Sequence, residues 1–359
     1  MNICILSYNH EPYIGGIETY SNNLVGFLKS KNINFKLISG KFTKFKIIRI
    51  LEVIFRFYFQ NPFAKYNIVH ITSLNLWPVL LINVFLRKDS LVFIVNLHGL
   101  ELVYGQRNKF LSKLYEFLIP YNFINKQSNI YFLCNSKQTL DLAQKKFYKN
   151  KLKFIPMGVD KILKVDLSKE INKNQIFFIG RIVERKGLSW FCENILTHLP
   201  NTRLYFAGPI INKHEFQKIN SYSQTEYMGT ISDDEKYEKI QQSLVTIIPN
   251  IEEKEIHDFE GFGITFLEIV ANGGLPMATK TQGIISSSLN GRIGLTVESG
   301  NPGEWINKIE HLMTSDLNYR NSLIKQNQKL VQENFIWKDI FNLTMNHYEK
   351  LLVKNKLAN

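Results

Sequence analysis

Short, uninterrupted apolar runs alternate with longer amphipathic stretches along the whole chain. Runs such as ICILSY, IVHI, LVFIVN and IYFLC lack the strict apolar–polar alternation of a half-solvated strand. They predict strands covered on both faces, as in a parallel sheet. In the first half such runs fall at 2–8, 35–39, 68–71, 91–96, 130–134 and 153–155. A second series falls at 176–180, 203–207, 226–228, 244–248, 275–278 and 295–297. Stretches of helical periodicity separate them, so the expected class is α/β, with doubly wound sheets and ligand sites at the carboxyl ends of the strands. The least patterned stretch, MGVDKILKVDLSKEINKNQ, is preceded by Pro156 and contains Gly158. It predicts a linker with a boundary near Ser168, hence domains 1–168 and 169–335 followed by an amphipathic terminal helix, 336–359.

Composition adds compartment and partner. The 359 residues, 45% hydrophobic, are enough for two domains of ordinary size. Three widely spaced cysteines in apolar runs, Cys4, Cys134 and Cys192, read as buried free thiols in a reducing compartment and suggest no metal cluster. MNICILSY is too short and uncharged for a signal peptide, and no apolar stretch has transmembrane length, so a cytoplasmic location is expected. The net charge of +13 is uneven. Residues 1–170 carry 24 Lys+Arg against 10 Asp+Glu (+14), and residues 171–359 carry 20 against 21 (−1). Such asymmetry asks for an anionic partner of the first half: a membrane, an acidic acceptor or nucleic acid. No nucleic-acid-binding motif supports the last. In KFTKFKIIRILEVIFRFYFQNPF, Lys46, Arg49, Glu52 and Arg56 form one mainly basic stripe among Phe42, Phe45, Phe55, Phe57, Tyr58 and Phe59. Arg107, Lys109 and Lys113 repeat the basic-aromatic mixture. Such helices either bury more than one face in the protein or lie in the interface of an anionic membrane.

Chemistry concentrates in EGFGITFLE. Glu260 closes a loop, Gly261 and Gly263 flank Phe262, and Glu268 falls two turns into a predicted helix. The backbone N–H groups from Gly261 through Ile264 to Thr265 would lie at a helix N-terminus and face an anion such as a phosphate. Upstream, RIVERKG sets Arg181 and Lys186 on a loop between a strand and a second helix, two fixed positive charges suited to a diphosphate or else a solvated basic loop. Gly15 and Gly16 follow the first strand, and His98 ends another strand at its carboxyl end. Asp233-Asp234 read as the start of a helix capped by Ser232, and the chain has no D-x-D triplet.

IGRIVERKG followed by EGFGITFLEIVANGGLP closely resembles the retaining nucleotide-sugar glycosyltransferases of family 4, the glycosyl transferases group 1, which have the GT-B fold. ILSYNHEPYIGGIE, NLHGLE, CNSKQTLDLA, FIPMGVD, LYFAGP, EYMGTISDDE, RIGLTVESGNP and NFIWKDI agree in order, so the resemblance spans nearly the whole chain. It implies two Rossmann-like domains facing a deep cleft, the first binding acceptor and the second the donor, with the C-terminal helix crossing back to the first.

Carried over by matching residues, the resemblance implies that Arg181 and Lys186 bind the donor diphosphate and stabilise the leaving group. Glu260 would hydrogen-bond sugar hydroxyls, the amides of Gly261, Phe262 and Gly263 would meet sugar and phosphate, and Glu268 would hold the ribose hydroxyls. His98 would support the transferred sugar, with Glu101 nearby. The Gly15-Gly16 loop would lie across from the donor diphosphate, and Ile231 would either pack near the base or belong to the core. No metal or other cofactor is implied; the donor would be UDP- or GDP-linked and the acceptor a glycan or a lipid-linked glycan of bacterial surface polysaccharide or lipopolysaccharide synthesis. A GT-B epimerase and an inactive sugar-nucleotide binder remain alternatives. The chain departs from the family at TKTQGIISSSLNG, which keeps Gly283 without the usual downstream glutamate. It departs again in the acidic run between Pro249 and Glu260, which either shapes donor choice or is solvated surface.

Overall fold

Each apolar run of the sequence becomes one strand of a parallel sheet. The computed structural model describes residues 1–8, 15–40, 45–59, 66–84, 91–106, 110–164, 171–251 and 260–357, the side chains of 82–84, 111, 356 and 357 excepted. Its contacts divide the chain into two units, Met1–Met157 with Trp337–Asn359, and Gly158–Ile336.

In the first unit the order is β1 (Ile3–Ser7), α1 (Gly16–Ser30), β2 (Phe35–Ser39), α2 (Lys46–Phe59), β3 (Ile68–Ile71), a 3-10 segment (Leu74–Val84), β4 (Val92–Leu97), α3 (Phe110–Leu118), α4 (Tyr121–Lys126), β5 (Ile130–Cys134), α5 (Lys137–Gln144) and β6 (Leu152–Phe154). In the second it is β7 (Asn172–Ile179), α6 (Leu188–Asn194), β8 (Arg203–Ala207), α7 (Lys213–Asn220), β9 (Thr225–Tyr227), α8 (Asp233–Gln242), β10 (Ser243–Ile248), α9 (Ile264–Ala271), β11 (Pro276–Thr279), α10 (Gln282–Ser287), β12 (Leu295–Val297), α11 (Pro302–Thr314) and α12 (Leu317–Asn334). The last helix, α13 (Trp337–Leu357), belongs to the first unit. There Trp337 stacks on Phe341, and Phe341 meets Phe27 of α1.

The sheets have strand orders β2-β1-β3-β4-β5-β6 and β12-β11-β10-β7-β8-β9, every pair parallel. In each, the central strands are buried on both faces, which is why their sequences are continuous apolar runs. Strand order reverses between β1 and β3 in one sheet and between β7 and β10 in the other. Ligand crevices of open α/β sheets form at such reversals. Cys4, Cys134 and Cys192 are buried and unpaired, and burial pushes each thiol up to about 12.

Two expectations change. The stretch read as a linker is tied into the second unit from its start: Val159 N–H donates to Phe335 O, and Leu163 N–H to Ala271 O. The units therefore meet at Gly158, ahead of the expected Ser168, which itself lies outside the described residues. On α2 the two arginines of the basic stripe turn inward, while Lys46 is exposed. Arg49 is buried, and Arg56 donates to Ser39 O on β2 at 3.1 Å while pairing with Glu52 at 3.0 Å. Val53 and Phe57 lie on the same inner side, whereas Phe45, Ile47, Leu51, Phe55 and Phe59 are exposed. Phe42, Arg107 and Lys109 lie outside the described residues.

Candidate active site

The strand reversal of the second sheet brings two loops together. The loop after β7 carries Arg181, Arg185 and Lys186, and the chain leaving β10 carries Asn250 and, after the undescribed residues 252–259, Glu260. Gly187 makes the approach possible. It adopts a left-handed φ of 67°, and a Cβ there would sit 1.9 Å from Pro249 O. Ile251 N–H donates to Arg185 O at 3.0 Å and staples the loops directly.

Glu260 is the hub. Its Oε2 accepts from Lys186 Nζ at 2.7 Å, from Asn250 Nδ2 at 3.1 Å and from the Arg185 guanidinium at 3.4 Å. Burial works against the Glu260 charge, yet the Lys186 ammonium, the Arg185 guanidinium and these hydrogen bonds hold its carboxyl down to about 2. Burial also pushes the Lys186 ammonium below its usual range, with Arg185 and Arg181 adding to the push and Glu260 opposing it. Both side chains keep some solvent access, 15% for Lys186 and 20% for Glu260. Arg181, by contrast, is exposed. The three donors converge on one carboxylate oxygen, Oε2.

Gly263, left-handed with φ 81°, opens α9. Among the described residues no backbone acceptor pairs with the Ile264 and Thr265 N–H groups, while Phe266 N–H donates to Gly263 O. First-turn N–H groups with the positive end of the helix dipole behind them suit an anion. Phe262 puts its ring into the unit's interior against Phe335. Gly283 of α10 packs directly beneath, where a Cβ would stand 2.2 Å from Glu260 O. The glycine kept in TKTQGIISSSLNG thus supports the Glu260 loop.

Glu268, half-buried on α9, stands in different surroundings. Burial raises its carboxyl above the usual range, Lys236 opposes this, and Asp233 and Asp160 add to it. Ser232 caps α8 in a reciprocal box with Glu235, so Asp233 and Asp234 occupy the first turn as expected. Ile231, just before the cap, is half-buried.

The N-terminus of α6, expected to add to the Arg181 and Lys186 charges, is already filled. The buried Glu215 carboxylate accepts from Ser189 N–H at 3.2 Å and from Ser189 Oγ at 3.0 Å. Arg185 and Asn250 are the residues that sequence reading missed. Arg185 was visible as a third cation of RIVERKG, but only the folded loop shows which of the basic residues turns inward.

In the first unit, Gly15 and Gly16 open α1, and His98 follows β4. His98 Nε2 lies 2.8 Å from Thr72 O. A carbonyl only accepts, so Nε2 carries a proton and donates it. Glu101 is buried and accepts from His98 N–H at 2.7 Å, which makes it a support of the loop. His98 lines a small recess with Tyr20, Asn96, Asn135 and Met157. Beneath, Tyr20 stacks on His70, which Tyr348 of α13 meets at 2.5 Å. Burial, with a smaller push from His98, lowers His70 to about 3, so it is neutral at ordinary pH.

Residues 160–330 match the sequence model of the family described as glycosyl transferases group 1. The second unit is a group 1 glycosyltransferase domain. The chain is 26% identical over 358 residues to an uncharacterized glycosyltransferase of Methanocaldococcus jannaschii, covering 95% of this chain and 96% of that one. Its fold matches sucrose-phosphate synthase of Thermosynechococcus elongatus with a TM-score of 0.75 at 15% identity, over 98% of this chain and 99% of the other. It also matches Anabaena HepE, solved with UDP and glucose, with a TM-score of 0.70 at 14% identity over 97% and 99% of the chains. These likenesses establish the GT-B fold, and the chain is an enzyme of the transferase class.

Proposed function

We propose that the enzyme transfers a sugar, with retention at the anomeric carbon and without a metal, from a UDP- or GDP-linked donor to a glycan or lipid-linked acceptor. The observation that carries the reading is the Glu260 hub at the strand reversal, where two cations meet one carboxylate beside the open first turn of α9. HepE was solved with UDP and glucose, which supports a uridine diphosphate donor here.

Breaking the bond between the sugar and the diphosphate leaves negative charge on the departing oxygens. Lys186 and the Ile264 and Thr265 N–H groups are held by the fold before any substrate arrives, so they stabilise that charge without reorganising, and exposed Arg181 adds a further positive charge beside them. Glu260 Oε1 accepts from a sugar hydroxyl while Oε2 stays bound to its cations. Glu268 accepts the two vicinal ribose O–H groups, a task for which a carboxylate has two oxygens. Because both glutamates hold the donor, neither is a nucleophile or general acid of the hydrolase kind.

The acceptor is one from which surface polysaccharide or lipopolysaccharide is built, and the excess positive charge of residues 1–170 suits an anionic membrane as the place where it is met. No helix among the described residues is long and apolar enough to cross a membrane.

The test is product stereochemistry, read by proton NMR during turnover with a UDP-sugar and repeated with EDTA. The reading expects the donor's anomeric configuration in the product and an unchanged rate with chelator. Inverted product or loss of activity with EDTA contradicts it, and an epimerised sugar nucleotide identifies an epimerase.

A further inference from the structure

We infer that the exposed apolar faces of α2 and α3 form one surface that inserts into the interfacial layer of an anionic lipid bilayer. On α2 the usual arrangement is reversed. The charged residues Arg49 and Arg56 turn toward the unit, while Phe45 (70% exposed), Ile47 (71%), Leu51 (59%), Phe55 (60%) and Phe59 (73%) turn to solvent. Phe55 and Phe59 pack together one turn apart, with ring centroids 4.1 Å apart and the rings tilted by 31°. On α3, Phe110 and Phe117 are 79% and 85% exposed.

Both helices lean on one 3-10 segment. Tyr58 of α2 donates to Pro78 O at 2.9 Å, and Tyr115 of α3 donates to Asn75 Oδ1 at 3.0 Å. Asn75 also donates to the Tyr8 hydroxyl, over whose ring Lys46 lies at 5.2 Å. The apolar faces therefore flank a shared support. Aromatic and branched side chains at such density in solvent mark an interaction surface.

Charge decides the occupant. A second copy would bring two strongly positive segments together, each with an excess of +14 over residues 1–170, whereas anionic lipid attracts them. Exposed Lys46 and Lys113 lie on the same two helices and can reach lipid phosphates while the aromatic rings enter the acyl boundary. The apolar face supplies the salt-resistant part of binding and the charge supplies the attraction. The inference draws its purpose from the lipid-linked acceptor in the proposed function, but its geometry is that of the first unit alone.

The full chain is sedimented with vesicles of phosphatidylcholine, and of phosphatidylcholine with phosphatidylglycerol, at low and high salt. Wild type is expected to bind the anionic vesicles, with a fraction persisting at high salt. Combining Leu51→Ser, Phe55→Ser and Phe59→Ser should remove that fraction and lower partitioning on the order of tenfold or more, with melting temperature and donor binding unchanged. If that variant does not fold, Phe110→Ser with Phe117→Ser tests the same surface. Unchanged vesicle binding by a folded variant overturns the inference, as does wild type binding neither vesicle. A wild-type dimer that the substitutions dissociate shows a second copy as the occupant and also overturns it. Loss of donor binding in wild type itself would count against the proposed function and leave the vesicle result standing.

Discussion

Lys186 Nζ lies 2.7 Å from Glu260 Oε2, joining the loop after β7 to the turn before α9. A cation read from sequence as an exposed diphosphate ligand is thereby also a structural partner. Lys186→Ala leaves Glu260, among the described residues, with Arg185 and Asn250, so the variant should lose roughly 1–3 kcal/mol of stability, the cost of an under-satisfied buried polar group. It should also lose turnover. Arg181→Ala, at an exposed position, should melt within about 0.5 kcal/mol of wild type and still turn over poorly. Thermal melts beside donor-hydrolysis assays separate the two; equal stability of both variants would show that the Lys186 pair contributes nothing to folding.

The same pair sets a pH dependence. Glu260 is held down to about 2 from an ordinary 4.5, so the folded state favours its ionised form. The stability this adds is present above pH 4.5 and is lost as pH falls from there toward 2. Wild type and Glu260→Gln, unfolded in denaturant at a series of pH values, should therefore differ most near neutrality and converge in acid. A constant difference across that window would mean that the carboxylate is not ionised by its neighbours.

Glu268 has the opposite sign. Its folded-state carboxyl is raised by burial, so its ionised form disfavours folding at neutral pH and the disadvantage fades as pH falls through the raised value. Glu268→Gln should melt at or above the wild-type temperature at neutral pH. Its nucleotide affinity should fall by about 1.5–3 kcal/mol, the range for a hydrogen bond to a charged group. Calorimetric titration with UDP and GDP reads this directly; intact affinity would take Glu268 out of the site.

Gly283→Ala tests the support of the loop. The added Cβ would meet Glu260 O at 2.2 Å and Phe262 N at 3.1 Å, both backbone atoms. Overpacking of this kind should cost about 1–3 kcal/mol and displace the Glu260 turn, lowering donor affinity as well. Gly303→Ala, whose nearest neighbour is a side-chain atom at 3.7 Å, serves as the tolerated control. Wild-type affinity in Gly283→Ala would mean that the turn is positioned from elsewhere.

The central strands were legible because burial on both faces writes itself into sequence as an apolar run, and the capped start of α8 was legible because Ser232 and Glu235 stand at fixed spacing. The orientation of α2 was not. Periodicity shows that Arg49 and Arg56 share a stripe, but which stripe faces the sheet depends on a partner outside the helix, the Ser39 carbonyl. Within the site, Glu260 and Lys186 were each visible, but their pairing was not, since it joins residues 74 apart through a contact that Gly187 permits. Glu215 was invisible for the same reason: it reaches Ser189 from another helix.

The central claim is that the Glu260 hub and the first turn of α9 receive a nucleoside diphosphate sugar. The most direct measurement is calorimetric titration of wild type and of Arg181→Ala with UDP-glucose, other UDP- and GDP-sugars, and the corresponding nucleoside monophosphates. The account predicts that at least one diphosphate sugar binds wild type, that its monophosphate binds more weakly, and that the difference between them shrinks in Arg181→Ala. Equal affinity for diphosphate sugar and monophosphate, with Arg181→Ala indistinguishable from wild type, would contradict it.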